Sequence, residues 1–174
     1  HLGVTATITI AGIGMRDFDQ MARTCAQAID LGITRLDFMD STSTLSPEAC
    51  RAFVRRMRTA VGPDVWMTMH QHEEFGLGTA CAIASVSAGG HPDVSINGMS
   101  YRAGFASLEE VVISLELFYG CDTGLNLERL DHASRVVAWE SGLPVPELKP
   151  LTGRFAFLKH SAGQAAEVIR SGPD

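Results

Sequence analysis

Short runs of β-branched and apolar residues alternate along the chain with longer stretches in which apolar residues recur every three or four positions. The four short runs begin at Val4, Thr34, Asp64 and Asp93 and read VTATITI, TRLDFM, DVWMTMH and DVSIN. Their starts recur at intervals of about thirty residues, near the length of a strand–helix unit that returns to the same sheet edge. The pattern therefore predicts an α/β fold with four strand–helix units carrying a parallel sheet.

Amphipathic stretches predict helices within 15–32, 46–62 and 106–120. Ser46 and Pro47 are typical of a helix start, and Gly62 is typical of a helix end. A fifth helix at about 127–140, and a shorter one near the C-terminus, fall outside the strand–helix alternation. The proline-rich stretch SGLPVPELKPLTGRF between them is a connector. The chain thus ends in a helical arm.

Four strand–helix units fit either a small open sheet or half of an eight-stranded (β/α)8 TIM barrel. A complete barrel of this kind needs about 250 residues. The chain has 174 residues, so it cannot close such a barrel alone. Unpaired edges on the first and last strands would then favour association with another copy or with a missing half-barrel.

Composition narrows the classes of partner. With 45% hydrophobic and 20% charged residues the chain is typical of a globular domain, and a net charge of −6 argues against nucleic acid. No apolar run approaches the roughly 20 residues that span a bilayer, and the N-terminal residues lack a signal-peptide pattern. We therefore expect a cytoplasmic protein that binds neither nucleic acid nor membrane. The isolated cysteines predict buried free thiols; they are Cys25, Cys50, Cys81 and Cys121.

Polar side chains follow all four predicted strands, at the sheet edge where parallel strand–helix proteins bind ligands. They are Arg16, Asp17, Asp40, Ser41, His70, His72 and Asn97. His70 and His72 are two positions apart, so both imidazoles can face one ion while Gln71 points away. The spacing alone leaves two interpretations open, a metal chelate or two hydrogen-bonded histidines at the strand end.

The neighbouring carboxylates also leave alternatives open. Glu73 and Glu74 can be further metal ligands, a general base or part of a solvated loop. Asp40 begins the Ser/Thr-rich stretch DSTSTLSP, where it can bind metal or substrate or hold a turn.

Four ordered segments resemble the second half of the barrel in the HMG-CoA-lyase-like metal-dependent family, which includes 2-isopropylmalate, homocitrate and citramalate synthases. The segments are HQHEEFGLGTACAIASVSAGG, DVSINGMSYRAGFASLEEVV, YGCDTGLNLERL and KPLTGRFAF. The stretch DSTSTLSP also resembles the DTxGxxxP motif of that family. The resemblance implies that residues 1–120 form the C-terminal half of a (β/α)8 barrel and that residues 121–174 form the arm and connector after it.

The resemblance implies an enzyme that forms or cleaves a carbon–carbon bond between an acyl-CoA and a 2-oxo acid. It implies a divalent ion (Mg²⁺, Mn²⁺ or Zn²⁺) held by His70 and His72. By position it also implies substrate contacts and catalytic groups. The substrate-binding candidates are Asp40, Ser41, Asn97 and Arg102, and the catalytic candidates are Glu73, Glu74, Tyr101 and His160.

The chain departs from the family pattern at four places. Glu73 and Glu74 replace an Asn-Asp pair, and Tyr101 replaces the Glu of the GERxGN motif. Phe105 replaces the last Asn of that motif, a metal ligand in the family. Near the C-terminus, Gln164 falls at the position of a catalytic histidine, and His160 lies four residues earlier.

These departures favour an alternative to the metal-dependent enzyme, namely a catalytically impaired half-barrel that acts by assembly with a partner chain. A third possibility is a pyruvate-type aldolase with the same barrel and metal and no site for CoA.

Overall fold

A parallel sheet of four strands forms the centre of the first of two units into which the chain divides, His1–Leu125 and Asn126–Asp174. The structure is a computed structural model that describes residues 5–158 and 161–171. The strands lie side by side in chain order, as expected for consecutive right-handed strand–helix units. They are β1 (Thr7–Ala11), β2 (Arg35–Asp40), β3 (Trp66–Gln71) and β4 (His91–Asp93).

A helix follows each strand. These helices are α1 (Phe18–Asp30), α2 (Pro47–Val61), α3 (Gly78–Val86) and α4 (Leu108–Tyr119). Asp17 caps α1 by accepting a 2.7 Å bond from the Gln20 amide, and Ser46 caps α2 through the Ala49 amide. The second unit contains α5 (Leu130–Ser141) and α6 (Ala162–Ser171). None of the helices in the described part of the chain is long and apolar enough to cross a membrane.

The two faces of the sheet differ in chemistry. Leu36, Phe38 and Met69 turn towards the helices and are fully buried in the main apolar core. The alternate positions, including Asp37 and His70, lie on the opposite face, because successive side chains of a strand point to opposite sides. A predominantly polar face thus leads to the carboxyl ends of the strands.

The fold matches the predicted four-unit half of a TIM barrel with a helical segment after it. Among the described residues, β1 pairs only with β2, and β4 pairs only with β3. The outer edges of β1 and β4 therefore have no strand partner within the described chain. The division between the half-barrel and the arm at residue 120 stays a prediction.

The fourth strand differs from its prediction at 93–97. It occupies His91–Asp93, opposite Thr68–His70 of β3, and the chain then turns through a 3-10 helix at Ile96–Gly98. Asn97 has φ of 63°, a left-handed conformation that Asn tolerates and a strand cannot contain. The left-handed backbone of Asn97 forms part of a turn, so β4 cannot extend to residue 97 as predicted.

The thiols are free, as predicted, and three of the four are buried. Cys121 is exposed, so the expectation of burial is wrong at that position, which lies just beyond the end of α4. Burial in the apolar core raises the pKa of Cys25 to about 11.

Candidate metal centre

The imidazoles of His70 and His72 converge at the end of β3. Their Nε2 atoms lie 3.0 Å apart, and the ring centroids lie 4.9 Å apart. His72 is only 1% exposed, while His70 lies on the polar face of the sheet. The i and i+2 spacing therefore brings both rings to one point, as the sequence predicts.

A carboxylate lies behind each imidazole, on the side opposite the paired Nε2 atoms. Asp93 of β4 places Oδ2 2.7 Å from Nδ1 of His70, and Glu74 places Oε1 3.7 Å from Nδ1 of His72. Asp93 was not among the predicted site residues. Its position at the start of the run DVSIN, on a strand next to β3, is the sequence feature that points to it.

The hydrogen bonds limit which tautomers a neutral pair of imidazoles can adopt. A carboxylate only accepts, so in a neutral pair Nδ1 of His70 donates to Asp93, and its Nε2 accepts from Nε2 of His72. In that arrangement Nδ1 of His72 carries no proton, and Glu74 and the Gly104 backbone lie beside the ring. Burial, reinforced by the nearby His70, lowers the pKa of His72, so the neutral form is favoured.

Glu73 and Glu74 point to different partners although they are adjacent. Glu73 accepts from the amides of Gly78 and Thr79 at 3.0 and 2.7 Å, and from the Thr79 hydroxyl at 2.8 Å. Both of its oxygens thus cap the first turn of α3, which leaves Glu74 as the carboxylate next to the histidines.

Arg102 connects Glu74 to the loop after β2. Its Nε lies 3.0 Å from Oε1 of Glu74, and its Nη1 donates 2.9 Å to the carbonyl oxygen of Ser41. The predicted substrate candidate Ser41 therefore meets Arg102 through its backbone. Ser43, in the loop after β2, makes a second connection to the segment after β3. Its hydroxyl donates a 2.7 Å hydrogen bond to the His72 carbonyl oxygen and accepts one from the backbone amide of Glu74.

Asp40 lies fully buried at the end of β2. Its Oδ1 accepts from the Thr44 amide and hydroxyl at 3.0 and 2.7 Å, and its Oδ2 accepts from the Leu45 amide at 2.9 Å. These three bonds fit the turn-holding alternative for Asp40, because neither carboxylate oxygen faces open space.

Asn97 is held at the turn after β4 by a buried carboxylate. Glu109, which is 1% exposed, accepts from the Asn97 amide at 2.9 and 3.1 Å and from the Ser107 hydroxyl at 2.8 Å. Glu109 lies in the motif segment LEEVV, and nothing in the sequence distinguishes it from Glu110 as the buried member.

Two aromatic rings lie against the histidine pair. The ring of Phe105 is 4.7 Å from that of His70 and 5.9 Å from that of His72. Tyr101, which is 61% exposed, lies 4.9 Å from His72. The turn that carries them is tight, since a Cβ on Gly104 would collide with the carbonyl oxygen of Gly98.

The donor set fits part of a divalent-metal site. Two ligands at about 2.1 Å from one ion that meet at about 90° lie about 3.0 Å apart, and the two Nε2 atoms have this separation. Metal-bound histidines also usually donate their second ring nitrogen to a carboxylate or carbonyl. No group of three His, Cys, Asp or Glu side chains converges on one point within the described residues. His160 lies outside the described residues.

Comparison with known proteins assigns the chain to a family. The sequence profile of the HMGL-like family matches residues 4–137. The chain belongs to the HMGL-like family. It is 36% identical over 154 residues to the homocitrate synthase AksA of Methanopyrus kandleri, a match that covers 88% of this chain and 38% of that protein. It is 34% identical over 160 residues to 2-isopropylmalate synthase 2 of Caldanaerobacter subterraneus subsp. tengcongensis, covering 91% of this chain and 41% of that protein.

A solved structure shows the same fold. An HMG-CoA lyase from Acinetobacter baumannii, in complex with coenzyme A and 3-methylmalate, superposes with a TM-score of 0.70 at 18% identity. The match covers 90% of this chain and 53% of that one. The chain thus spans about half of that lyase and about two fifths of the two synthases, which confirms a partial barrel of this family.

Proposed function

We propose that the protein takes part in a divalent-metal-dependent reaction that forms or cleaves a carbon–carbon bond between an acyl-CoA and a 2-oxo acid. The observation that carries this proposal is the convergence of the His70 and His72 Nε2 atoms at 3.0 Å, each ring backed by a carboxylate. The family relatives, which include synthases and a lyase, support the reaction class.

His70 and His72 are the residues of this chain that would hold the ion. A bound divalent ion supplies Lewis-acid polarisation of the 2-oxo acid carbonyl. Phe105 and Tyr101 shield the imidazoles from water on one side. Because Phe105 has no ligating atom, further ligands have to come from substrate, from water or from protein outside the described residues.

The acid–base candidates differ in whether their side chains are already engaged within the protein or exposed to solvent. Both oxygens of Glu73 are engaged at α3, whereas Tyr101 is exposed beside His72. Tyr101 is therefore the group of this turn that we propose to exchange a proton with substrate. The catalytic role of His160 that the resemblance implies stays a prediction. Arg102 and Asn97 remain proposed substrate contacts at the same strand ends.

Metal binding and turnover test the proposal in the intact protein. Isothermal titration with Zn²⁺, Mn²⁺ and Mg²⁺ measures the first, and release of free CoA thiol from acyl-CoA and 2-oxo acid pairs measures the second. We expect His70→Ala to abolish both, while His132→Ala, at an exposed position of α5, leaves both unchanged. Failure of the intact protein to bind any of the three ions, or full activity of His70→Ala, would refute the proposal.

A second function is favoured by two features of the described residues: they supply only two metal ligands, and the outer edges of β1 and β4 have no strand partner among them. In this alternative the chain is a scaffold that has lost the chemistry and acts by assembling with a partner half-barrel or another copy. Sedimentation of the intact protein together with the metal titration separates the two functions. A stable assembly that binds no metal supports the scaffold, and a monomer in sedimentation contradicts it.

A further inference from the structure

We infer that Glu74 is a positioning residue that orients His72 for metal binding, and that Arg102 holds Glu74 in place for this task. The inference rests on the proposed metal function and assigns Glu74 and Arg102 a role in addition to the catalytic and substrate-binding roles that the resemblance implies. It is carried by three relationships, namely the 3.7 Å separation of Glu74 and His72, the ion pair of Glu74 with Arg102, and the backbone conformation of Arg102.

The distance between Glu74 and His72 has a direct explanation in the protonation of the ring. In the neutral pair the Nε2 atoms lie 3.0 Å apart, and the tautomer that joins them by a hydrogen bond while His70 donates to Asp93 has the proton of His72 on Nε2. The lone pair of Nδ1 therefore faces the Glu74 carboxylate, and two acceptors do not approach to hydrogen-bond distance. The 3.7 Å separation of Glu74 and His72 follows from this arrangement.

A metal on Nε2 of His72 changes this relationship. The Nε2 atom must give up its proton to expose a lone pair to the ion, and the neutral ring then carries its proton on Nδ1. No net proton is gained or lost by the ring. The Nδ1–H now faces the Glu74 carboxylate, so the contact becomes a charge-assisted hydrogen bond that favours the metal-binding tautomer.

Arg102 fixes the carboxylate that receives this proton. Glu74 is partly buried, with 17% of its side chain exposed and its Oε1 atom shielded from solvent, and an unpaired carboxylate oxygen in such a place is costly. Arg102 neutralises it at 3.0 Å and is itself tied to the Ser41 carbonyl. Its φ of 60° lies in the left-handed region, which an arginine adopts only at a cost in free energy. The bridge between Glu74 and Ser41 offsets this cost.

The chain offers a matched control in the adjacent residue. Glu73→Gln removes a carboxylate one position away that caps α3 and has no contact with either imidazole among the contacts described above. A purely structural role for Glu74 predicts that Glu74→Gln and Glu73→Gln both lower thermal stability and that neither selectively changes metal affinity. A positioning role predicts a selective loss of metal affinity for Glu74→Gln.

The experiment is titration of the intact protein and its variants with Zn²⁺, with the absorption spectrum of bound Co²⁺ as a second readout. We expect Glu74→Gln to raise the Kd for Zn²⁺ by about 10- to 100-fold and to shift the Co²⁺ spectrum. Arg102→Gln is expected to weaken binding in the same direction, Glu74→Asp to retain more affinity than Glu74→Gln, and Glu73→Gln to leave Kd unchanged.

A tautomer measurement completes the test. The ¹⁵N shifts of His72 in the intact protein are expected to report a proton on Nε2 without metal and on Nδ1 with Zn²⁺. Unchanged affinity of Glu74→Gln in a protein that binds Zn²⁺ would overturn the inference and leave the Gly104 backbone, also beside His72, as what orients the ring. If the unsubstituted protein binds none of Zn²⁺, Mn²⁺ and Mg²⁺, the proposed function is overturned instead; if it binds Mn²⁺ or Mg²⁺ but not Zn²⁺, the same variants are compared with that ion.

Discussion

Asp93 and His70 are direct partners across the sheet, since the register of β3 and β4 places them opposite each other and a 2.7 Å bond joins Oδ2 to Nδ1. The bond orients the His70 ring from a neighbouring strand, whereas Glu74 approaches His72 from the loop that follows the same strand. The two histidines are thus supported by separate elements, and substitutions can test the two supports independently.

Substitution of Asp93 is expected to weaken metal binding. Asp93→Asn replaces the carboxylate behind Nδ1 of His70 with a weaker, neutral acceptor, so the Kd for Zn²⁺ should rise by about tenfold. Isothermal titration measures the change, and Asp64→Asn, at an exposed position before β3, is the control. Equal affinity of Asp93→Asn and the unsubstituted protein would contradict this role for Asp93.

Substitution of Asp40 is expected to reduce stability. The amide of Asp40→Asn presents an NH₂ group to donors that now bond a carboxylate, so the free energy of unfolding should fall by about 1–3 kcal/mol. Urea denaturation measures the fall. Asp19→Asn is the matched control, because Asp19 forms only an exposed ion pair with Arg56 and should change stability little. A similar small effect at both positions would show that Asp40 does not hold the loop.

The stability of the metal-free protein is expected to decrease as the pH falls below about 6.5, the ordinary pKa of histidine. The pKa of His72 is lowered in the folded state, so the unfolded chain takes up a proton first and unfolding is favoured as acidity increases. Above this pH both states are neutral at His72 and the contribution is constant.

Chemical denaturation at several pH values measures this dependence. The slope of stability against pH below about 6.5 should be shallower in His72→Gln than in the unsubstituted protein. His132→Gln, at an exposed position, should keep the original slope. Identical slopes in all three proteins would exclude His72 as the origin.

Phe105→Asn is expected to strengthen metal binding. The Phe105 ring lies 4.7 Å from that of His70, and the resemblance implies that an Asn at this position would supply its amide oxygen to the metal. Because ligand number is a main determinant of affinity, the Kd for Mn²⁺ should fall by at least about tenfold. Phe105→Leu, which removes the ring without adding a ligand, is the control; equal affinities in the two variants would argue against a ligand role.

The sequence pattern predicts the first three strands and the helices α1, α2 and α4 because each has a continuous period. No amphipathic stretch predicts α3, because its residues are mostly small and apolar around the whole helix. The fourth strand is misplaced because its residues are selected by pairing with Thr68–His70 of β3, and not by an apolar run of their own. The apolar residues of the predicted run lie outside β4. Val94 packs against a second, smaller apolar cluster that includes Ala106, and Ile96 lies in the turn after the strand.

The site shows the same division between local and tertiary information. The convergence of His70 and His72 follows from strand geometry, which the spacing contains. The different partners of Glu73 and Glu74 do not follow from local spacing. The direction of each side chain depends on tertiary structure, because Glu73 contacts the start of α3 and Glu74 contacts Arg102, which lies in a different loop. Asp93 and Glu109 were missed for this reason, since their partners become neighbours only in the folded chain.

The cap on α3 limits how this half of the barrel can receive negatively charged molecules. The first amides of a helix that follows a parallel strand commonly serve as a cradle for phosphate or carboxylate. Here Glu73 already occupies the amides of Gly78 and Thr79 with its own carboxylate. An anionic ligand approaching this end of α3 meets a like charge, so its negative groups must find their counter-charge at another strand end.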